Sequence, residues 1–344
     1  MNLLDQFKKN TTIDAASVLS TSKFFTDHDM IQTDVPMINV ALSGRLGGGL
    51  TPGLTVFAGP PKHFKTCFAL LMGAAYQKKY EDSVILFYDS EFGSPQGYFK
   101  TFGIDTERVF HTPITDVEQL KHDIMKQLEG IQSKTRVIII VDSLGNLASK
   151  KEVEDALEGK SVADMTRAKA VKSLCRMVTP HLRIKDIPML IVNHTYKEIG
   201  LYPKDIVSGG TGVMYSSDTV WVIGRQQDKN GTELTGYNFV INIEKSRFVR
   251  EKSKIPITVS FEGGIQQYSG LLEVAIEGEF VTKPSPGWYQ KRGEKSKVRF
   301  ENTQTTEFWK DILEDEAFEN YIRKRYEVAY GSILPRYNTE ENSE

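Results

Sequence analysis

Five short apolar runs, rich in β-branched residues, punctuate the chain: GLTVFAG (53–59), SVILFYD (83–89), RVIIIVD (136–142), IPMLIVN (187–193) and DTVWVIG (218–224). A strand with one wet face alternates apolar and polar residues, whereas a strand covered on both faces reads as a continuous apolar run. Helix-spaced segments separate several of them: TCFALLMGAAYQKKY (66–80), DVEQLKHDIMKQLEGI (116–131) and DMTRAKAVKSLCRMV (164–178). Strand and helix in alternation, with doubly buried strands, predict an α/β fold: a mostly parallel central sheet flanked by helices. Two later runs, 236–247 and 254–264, have no helix between them and predict an antiparallel extension of that sheet. Beyond about residue 270 helical patterns dominate, notably over 305–331. The division expected is an N-terminal arm over 1–33, a core over 34–269, and a small C-terminal α/β domain over 270–344 with a polar, acidic tail.

Composition bounds what such a fold can bind. With 344 residues the chain is long enough for a sizeable core, and its net charge of -2 excludes a surface coated in positive charge. Local basic surfaces remain possible. The two cysteines, Cys67 and Cys175, are far apart, which predicts no disulfide framework and fits a reducing compartment. The six histidines form no zinc spacing. The N-terminus lacks the apolar core of a signal peptide, and no apolar run reaches membrane-spanning length. The expectation is a soluble cytoplasmic protein with no membrane partner.

The first apolar run ends at GPPKHFKT (59–66), which nearly matches the phosphate-binding pattern G-x-x-x-x-G-K-[ST]. A strand precedes it and a helix follows, so backbone N–H groups would face a phosphate at a helix N-terminus. Gly59, Pro60, Pro61, Lys62, His63, Phe64, Lys65 and Thr66 would form the cradle. Lys65 would neutralise the outer phosphates of ATP, and the Thr66 hydroxyl would hold Mg²⁺. Phe64 stands where the second glycine is usual. Directly before the helix, ordinary helical angles are expected to suffice there. Asp142, at the end of a buried run, suits the acidic residue of a Mg²⁺ shell. Glu91, just past another strand end, suits a general base, since parallel sheets gather ligands at the carboxyl ends of their strands. Taken without its neighbours, Glu91 reads as a solvated loop carboxylate. On spacing alone, Lys245 and Arg247 in EKSR read as the solvated face of an edge strand.

The stretches ASVLSTSKFF, MINVALSG, AGPPKHFKT, LFYDSEFG, VDSLGNLASKKE, DMTRAKA, GGTGVMYSSDTV, NIEKSR and YSGLLEVA resemble the RecA family of ATP-dependent DNA strand-exchange proteins. The likeness is to the branch found in large tailed bacteriophages, spans about residues 15 to 330, and includes the phenylalanine in the phosphate loop. It implies an ATPase in which Glu91 is the catalytic glutamate and Tyr98 stacks on adenine. It implies that His194, after Asn193, is the γ-phosphate sensor, where RecA itself has glutamine. Lys245 and Arg247 would reach the ATP of a neighbouring subunit.

The resemblance also implies two DNA-contacting loops, at about 149–163 and 195–212, the second carrying Tyr196, Lys197, Gly209 and Gly210. Lys169, Lys172 and Arg176 lie at helical spacing and would contact the DNA backbone. Residues 1 to 30 would dock on the next subunit, with Phe24 and Phe25 as anchors; a head-to-tail contact of that kind builds an open helical filament. The function implied is a single-stranded-DNA-dependent ATPase that pairs the bound strand with homologous duplex and exchanges strands in recombination, repair and replication. A single-strand-binding protein and a recombination mediator would assist it in the host bacterial cytoplasm. Two alternatives are a hexameric helicase on the same fold and an ATP-binding regulatory paralogue; the presence of Lys65, Glu91 and Asp142 speaks against the second.

Overall fold

The structure is a computed structural model; it describes residues 2–22, 29–132, 135–160, 166–198, 200 and 203–328. The parallel strands are β1 (Gly53–Ala58), β2 (Val84–Asp89), β3 (Val109–Pro113), β4 (Val137–Asp142) and β5 (Pro188–Asn193). A short hairpin follows, β6 (Thr195–Lys197) and β7 (Asp205–Val207), then the long strands β8 (Thr219–Asn230), β9 (Glu233–Ser246) and β10 (Lys254–Ser260), and β11 (Gly264–Ile265). Nine of these form one sheet in the order β11-β10-β9-β8-β1-β5-β4-β2-β3. From β8 to β3 every pairing is parallel, and from β8 to β11 every pairing is antiparallel. The sheet is therefore mostly parallel with the antiparallel extension that the uninterrupted runs implied.

The helices are α1 (Leu3–Asn10), α2 (Pro36–Ser43), α3 (Lys65–Lys79), α4 (Gln96–Thr101), α5 (Val117–Gly130), α6 (Lys150–Leu157), α7 (Thr166–Ile184), α8 (Thr211–Ser216), α9 (Leu271–Glu277), α10 (Thr306–Glu314) and α11 (Glu316–Tyr326). Strand alternation sends side chains to opposite faces. Along β1, Leu54, Val56 and Ala58 enter the core under α5 and α7, while Phe57 enters the core under α2 and α3. Both faces are covered, which is why the strands read as unbroken apolar runs.

Three differences from the sequence reading have local causes. β3 is an edge strand whose residues are only half-buried or exposed, so it lacks the apolar run that marked the others. α7 continues to Ile184 past Pro180, although proline removes a helical N–H donor. Pro180 lies on the exposed side. Residues 150–157, expected within a DNA loop, form α6 instead: Ser149 Oγ accepts from Glu152 N at 3.1 Å and Glu152 Oε2 accepts from Ser149 N at 3.1 Å, a reciprocal cap that starts a helix. As the α/β expectation for the C-terminal part requires, the chain after α9 forms a three-stranded sheet, β12 (Val281–Ser285), β13 (Trp288–Lys291) and β14 (Val298–Arg299), before the helices resume.

The part after residue 270 shares its core with the main sheet: Phe280, Trp309, Phe318 and Tyr326 belong to the cluster containing Phe57, Phe68 and Trp221. Its last described turn is pinned by Glu327. That carboxylate meets Arg45 Nη2 at 2.6 Å and Arg323 Nε at 2.7 Å, and Val249 and Glu327 form an antiparallel bridge. No helix among the described residues is long and apolar enough to cross a membrane.

Candidate nucleotide and nucleic-acid site

Register brings four strand ends into one row. Ala58 pairs with Asn193, and Asp89 with Asp142. The loop leaving Ala58 then turns into α3. Gly59 sits against β8, where an added Cβ would come 3.0 Å from Ile223 O. Lys62 and Phe64 both adopt φ of +62°, the left-handed region. The expectation that ordinary helical angles suffice at Phe64 is thus overturned: the turn into α3 requires positive φ, as the usual glycine there would provide. Phe64 is kept in place by its ring, which stacks on Phe239 at 4.9 Å and meets Phe68 edge-on at 5.4 Å. His63 Nδ1 lies 2.9 Å from Pro61 O, within the loop itself.

The first turn of α3 holds the chemistry. Lys65 is buried, and its Nζ donates to Pro60 O at 2.8 Å. Burial lowers the pKa of its ammonium, against the nearby charges of Glu91 and Asp142. The Thr66 hydroxyl donates to Asp142 Oδ2 at 2.8 Å. Asp142 Oδ1 is buried and has no hydrogen-bond partner. Burial pushes the Asp142 carboxyl up to about 6; the Thr66 bond opposes this, and the charges of Glu91 and Asp89 add to it. A divalent cation with bound water fits that orphaned oxygen and the Thr66 hydroxyl. Among the described residues no group of three or more His, Cys, Asp or Glu could hold a metal, so such a cation needs further oxygens from a ligand.

Glu91 reaches the same row from the end of β2. Asp89 Oδ1 accepts from the backbone N–H of Glu91 and Phe92 at 3.0 and 2.8 Å, which shapes the turn that presents Glu91. Glu91 Oε1 accepts from Ser143 Oγ at 2.6 Å and lies 3.0 Å from His194 Nε2. The His194 contact first, then the Ser143 bond, hold this carboxyl down at about 2 against partial burial. Asn193 fixes the approach of His194: its Oδ1 accepts from His194 N at 2.9 Å and its Nδ2 donates to Ser208 O at 2.8 Å. Ser143 escaped the sequence reading, although its position directly after Asp142 was the available signal. Tyr98, on α4, has its hydroxyl 2.6 Å from Cys67 Sγ on α3, which sets its ring beside the loop.

Lys245 and Arg247 are not brought to this row. Lys245 pairs with Val220, and Arg247 N donates to Asp218 O, next to Leu54 at the start of β1. Leu54 to Ala58 is roughly 13 Å of strand. Arg247 therefore sits toward the opposite end of β1 from its own phosphate loop, while Lys245, level with Val220 and hence with Val56, lies mid-strand and is tied to α8. Lys245 Nζ donates to Met214 O at 2.6 Å and Tyr215 O at 3.0 Å, carbonyls in the last turn of α8. Burial is the main cause of its lowered pKa.

Of the residues expected to contact DNA, the glycines of the second loop pack on α7. Lys169, Lys172 and Arg176 are exposed along one side of α7. Gly209 and Gly210, with φ of +92° and +74°, bring the second loop onto that helix, where an added Cβ at Gly209 would lie 3.3 Å from Val171. Gly212 packs closer still, its would-be Cβ 2.6 Å from the Lys172 Cβ. Tyr196 is 55% exposed on the β6–β7 hairpin, but Lys197 is engaged with Asp205 at 2.9 Å. Arg167, unnoticed in the sequence, clamps the turn after β4 by donating to Leu147 O, Leu144 O and Gly145 O. Phe24 and Phe25 lie outside the described residues.

Residues 3–266 match the family model of the RecA N-terminal domain, and residues 268–322 match that of the C-terminal domain of the bacteriophage T4 recombination and repair protein. The chain is 47% identical over 338 residues to the recombination and repair protein of Enterobacteria phage T4, covering 95% of this chain and 86% of that protein. It is 25% identical over 265 residues to RecA of a Nocardioides species, covering 76% and 73%. It is 24% identical over 308 residues to RecA of Gloeobacter violaceus, covering 88% and 80%.

Proposed function

This chain belongs to the RecA family, and on that premise we propose that it is a DNA recombinase: an ATPase that polymerises on single-stranded DNA and exchanges the bound strand with a homologous duplex. The observation that carries the reading is the row of strand ends, where Lys65, Thr66, Asp142, Glu91 and His194 are joined by hydrogen bonds and close charges. Mg²⁺, when bound with ATP, supplies neutralisation of phosphate charge beside Thr66 and the unpartnered Asp142 oxygen. Lys65 exchanges Pro60 O for a phosphate oxygen. Glu91, ionised over the whole working range of pH, orients the attacking water and takes its proton. His194 exchanges Glu91 for the terminal phosphate, freeing that carboxylate at the moment it is needed. Tyr98 offers its ring to the base.

Because Arg247 lies toward the far end of β1 and Lys245 is tied to α8 rather than to the phosphate loop, they serve the site of the adjoining subunit, as cations supplied in trans. That requires a head-to-tail repeat, whose contact need not close and so builds a filament. Lys169, Lys172 and Arg176 hold backbone phosphates, while Tyr196 offers a stacking surface and Gly209 and Gly210 let backbone N–H groups approach. Sequence is then read by base pairing rather than by the protein. A single-strand-binding protein and a mediator are expected to govern loading. ATP hydrolysis measured with and without single-stranded DNA, across a salt series, tests the reading. Strong stimulation that fades as salt rises is expected; hydrolysis indifferent to DNA would remove recombination as its purpose.

A further inference from the structure

Where β8 begins, a buried carboxylate is surrounded by cations. Asp218 Oδ1 lies 2.6 Å from Arg247 Nε and 2.6 Å from Arg183 Nη2. Neither guanidinium meets that oxygen along a hydrogen-bonding direction, so it is shared between them. The other oxygen accepts from Leu54 N at 2.9 Å, which ties the carboxylate to the start of β1. The backbone closes tightly here: a Cβ at Gly53, with φ of +112°, would stand 2.1 Å from Asp218 Oδ2 and 3.0 Å from Arg183 Nε. Lys245 lies close by on the α8 carbonyls.

Three cations, Arg183, Arg247 and Lys245, gather near Asp218, with Glu251 also close to Lys245. Arg183 and Asp218 neutralise each other within the protein. Arg247 contacts Asp218 through Nε, yet its side chain is 60% exposed. A guanidinium drawn to a carboxylate by charge at Nε and left largely exposed keeps N–H groups for a second acceptor, and a rigid fork of that kind suits a phosphate. Arg183 belongs to α7, the helix that carries Lys169, Lys172 and Arg176. One buried oxygen thus joins the helix proposed to hold DNA to the cation proposed to reach the neighbouring nucleotide.

We infer that Asp218 is a positioning residue for Arg247, and that Arg183 makes the aim of Arg247 depend on the placement of α7. The inference rests on the trans role proposed above for Arg247. Displacement of α7 by DNA would move Arg183 on the shared oxygen and so alter how firmly Arg247 is held. Asp218 touches no substrate and acts only through its neighbours.

The test is a double-mutant cycle in the full-length chain, reading ATPase kcat and KM with and without single-stranded DNA, and thermal stability. Asp218→Asn keeps shape and an acceptor for Leu54 N while removing the charge. It is expected to lower DNA-stimulated kcat about 10- to 100-fold, as small misplacements of reacting groups do, with the KM for ATP little changed. In the Asp218→Asn, Arg247→Gln double variant the losses should not add, because the first acts through the second. Additive losses, or unchanged stimulation in Asp218→Asn, overturn the inference. If Asp218→Asn folds poorly, Arg183→Gln decides: DNA-independent hydrolysis should persist while stimulation falls, and loss of both in proportion overturns the link to α7. Arg247→Gln alone separates the two levels. Full stimulation in that variant removes the trans reading itself, whereas its loss beside a normal Asp218→Asn removes only the positioning role.

Discussion

The Thr66 hydroxyl and Asp142 Oδ2 lie 2.8 Å apart, and the second Asp142 oxygen is buried with no partner. A carboxylate desolvated in this way, with two other acids nearby, has its folded pKa raised to about 6 from an ordinary 3.8. A raised acid binds its proton more tightly when folded, so its ionisation destabilises the metal-free protein as pH climbs from about 4 through about 6. Asp142→Asn should therefore stabilise the chain in chelator at neutral pH, on the order of 2 kcal/mol. It should also abolish the stabilisation that Mg²⁺ with nucleotide provides. Thermal melts at two pH values, with and without Mg²⁺ and ATP, check both effects.

Glu91 shifts the other way. Its carboxyl is held at about 2, first by His194 and next by Ser143. A lowered acid contributes stability above its unfolded pKa, and that stability is lost as pH falls toward the folded value. Glu91 is therefore ionised throughout the neutral and mildly acid range. His194→Ala should let the carboxyl rise toward 4.5, its ordinary value. The acid limb of the kcat/KM–pH profile, which reports the free enzyme in which His194 holds Glu91, should move upward by a unit or more on the scale of such shifts; a limb that stays put would mean another group sets it.

Phe64 sets two effects against each other. Its positive φ costs roughly 1–2 kcal/mol in a residue with a side chain, while its contacts with Phe239 and Phe68 contribute about 0.5–1.5 kcal/mol each beyond burial. Packing should win. Phe64→Gly, which restores the usual loop residue, should lower stability by about 1–2 kcal/mol. Phe64→Ala, which keeps the strain and loses the ring, should fall about 1 kcal/mol further. Urea denaturation of the three chains gives the order.

The placement of Lys245 predicts complementation between inactive chains. Lys65→Ala lacks its own phosphate contact and Lys245→Ala lacks the contact offered to a neighbour, so each alone should hydrolyse ATP poorly. Mixed in equal amounts, they should recover about a quarter of normal DNA-stimulated activity, because random head-to-tail order pairs the two intact halves at that frequency. No recovery would show that both lysines serve one chain's own site.

Glu327 is buried between Arg45 and Arg323 at the last described turn. Glu319 lies near both arginines as well, so removing the Glu327 charge weakens two charge-assisted bonds rather than stranding a buried charge, and Glu327→Gln should cost about 1–3 kcal/mol. The loss should appear first as loosening of α11 from the core, visible as faster amide exchange near Val249 and Tyr326 than in β1.

The sequence by itself determined the sheet and its chemistry at the strand ends. Doubly buried strands have no choice but unbroken apolar runs, and four of the five runs end where the site lies: Ala58 before the phosphate loop, Asp89 before Glu91, Asp142, Asn193. It could not determine what depends on neighbours distant along the chain. The left-handed turn at Phe64 is tolerated because Phe239, from another strand, covers its ring. Edge strand β3 carries too little buried surface to leave an apolar signature, and the cap that makes α6 a helix was hidden in a stretch rich in charge. Only the tertiary structure decided that Arg247 stands toward the opposite end of β1 from Lys65 and that Lys245 is bound to α8, because local spacing says which residues share a strand face but not what that face meets. Asp218 shows the same limit: one aspartate among many in the sequence, it acquires meaning when folding buries it between arginines from α7 and from the chain just beyond β9.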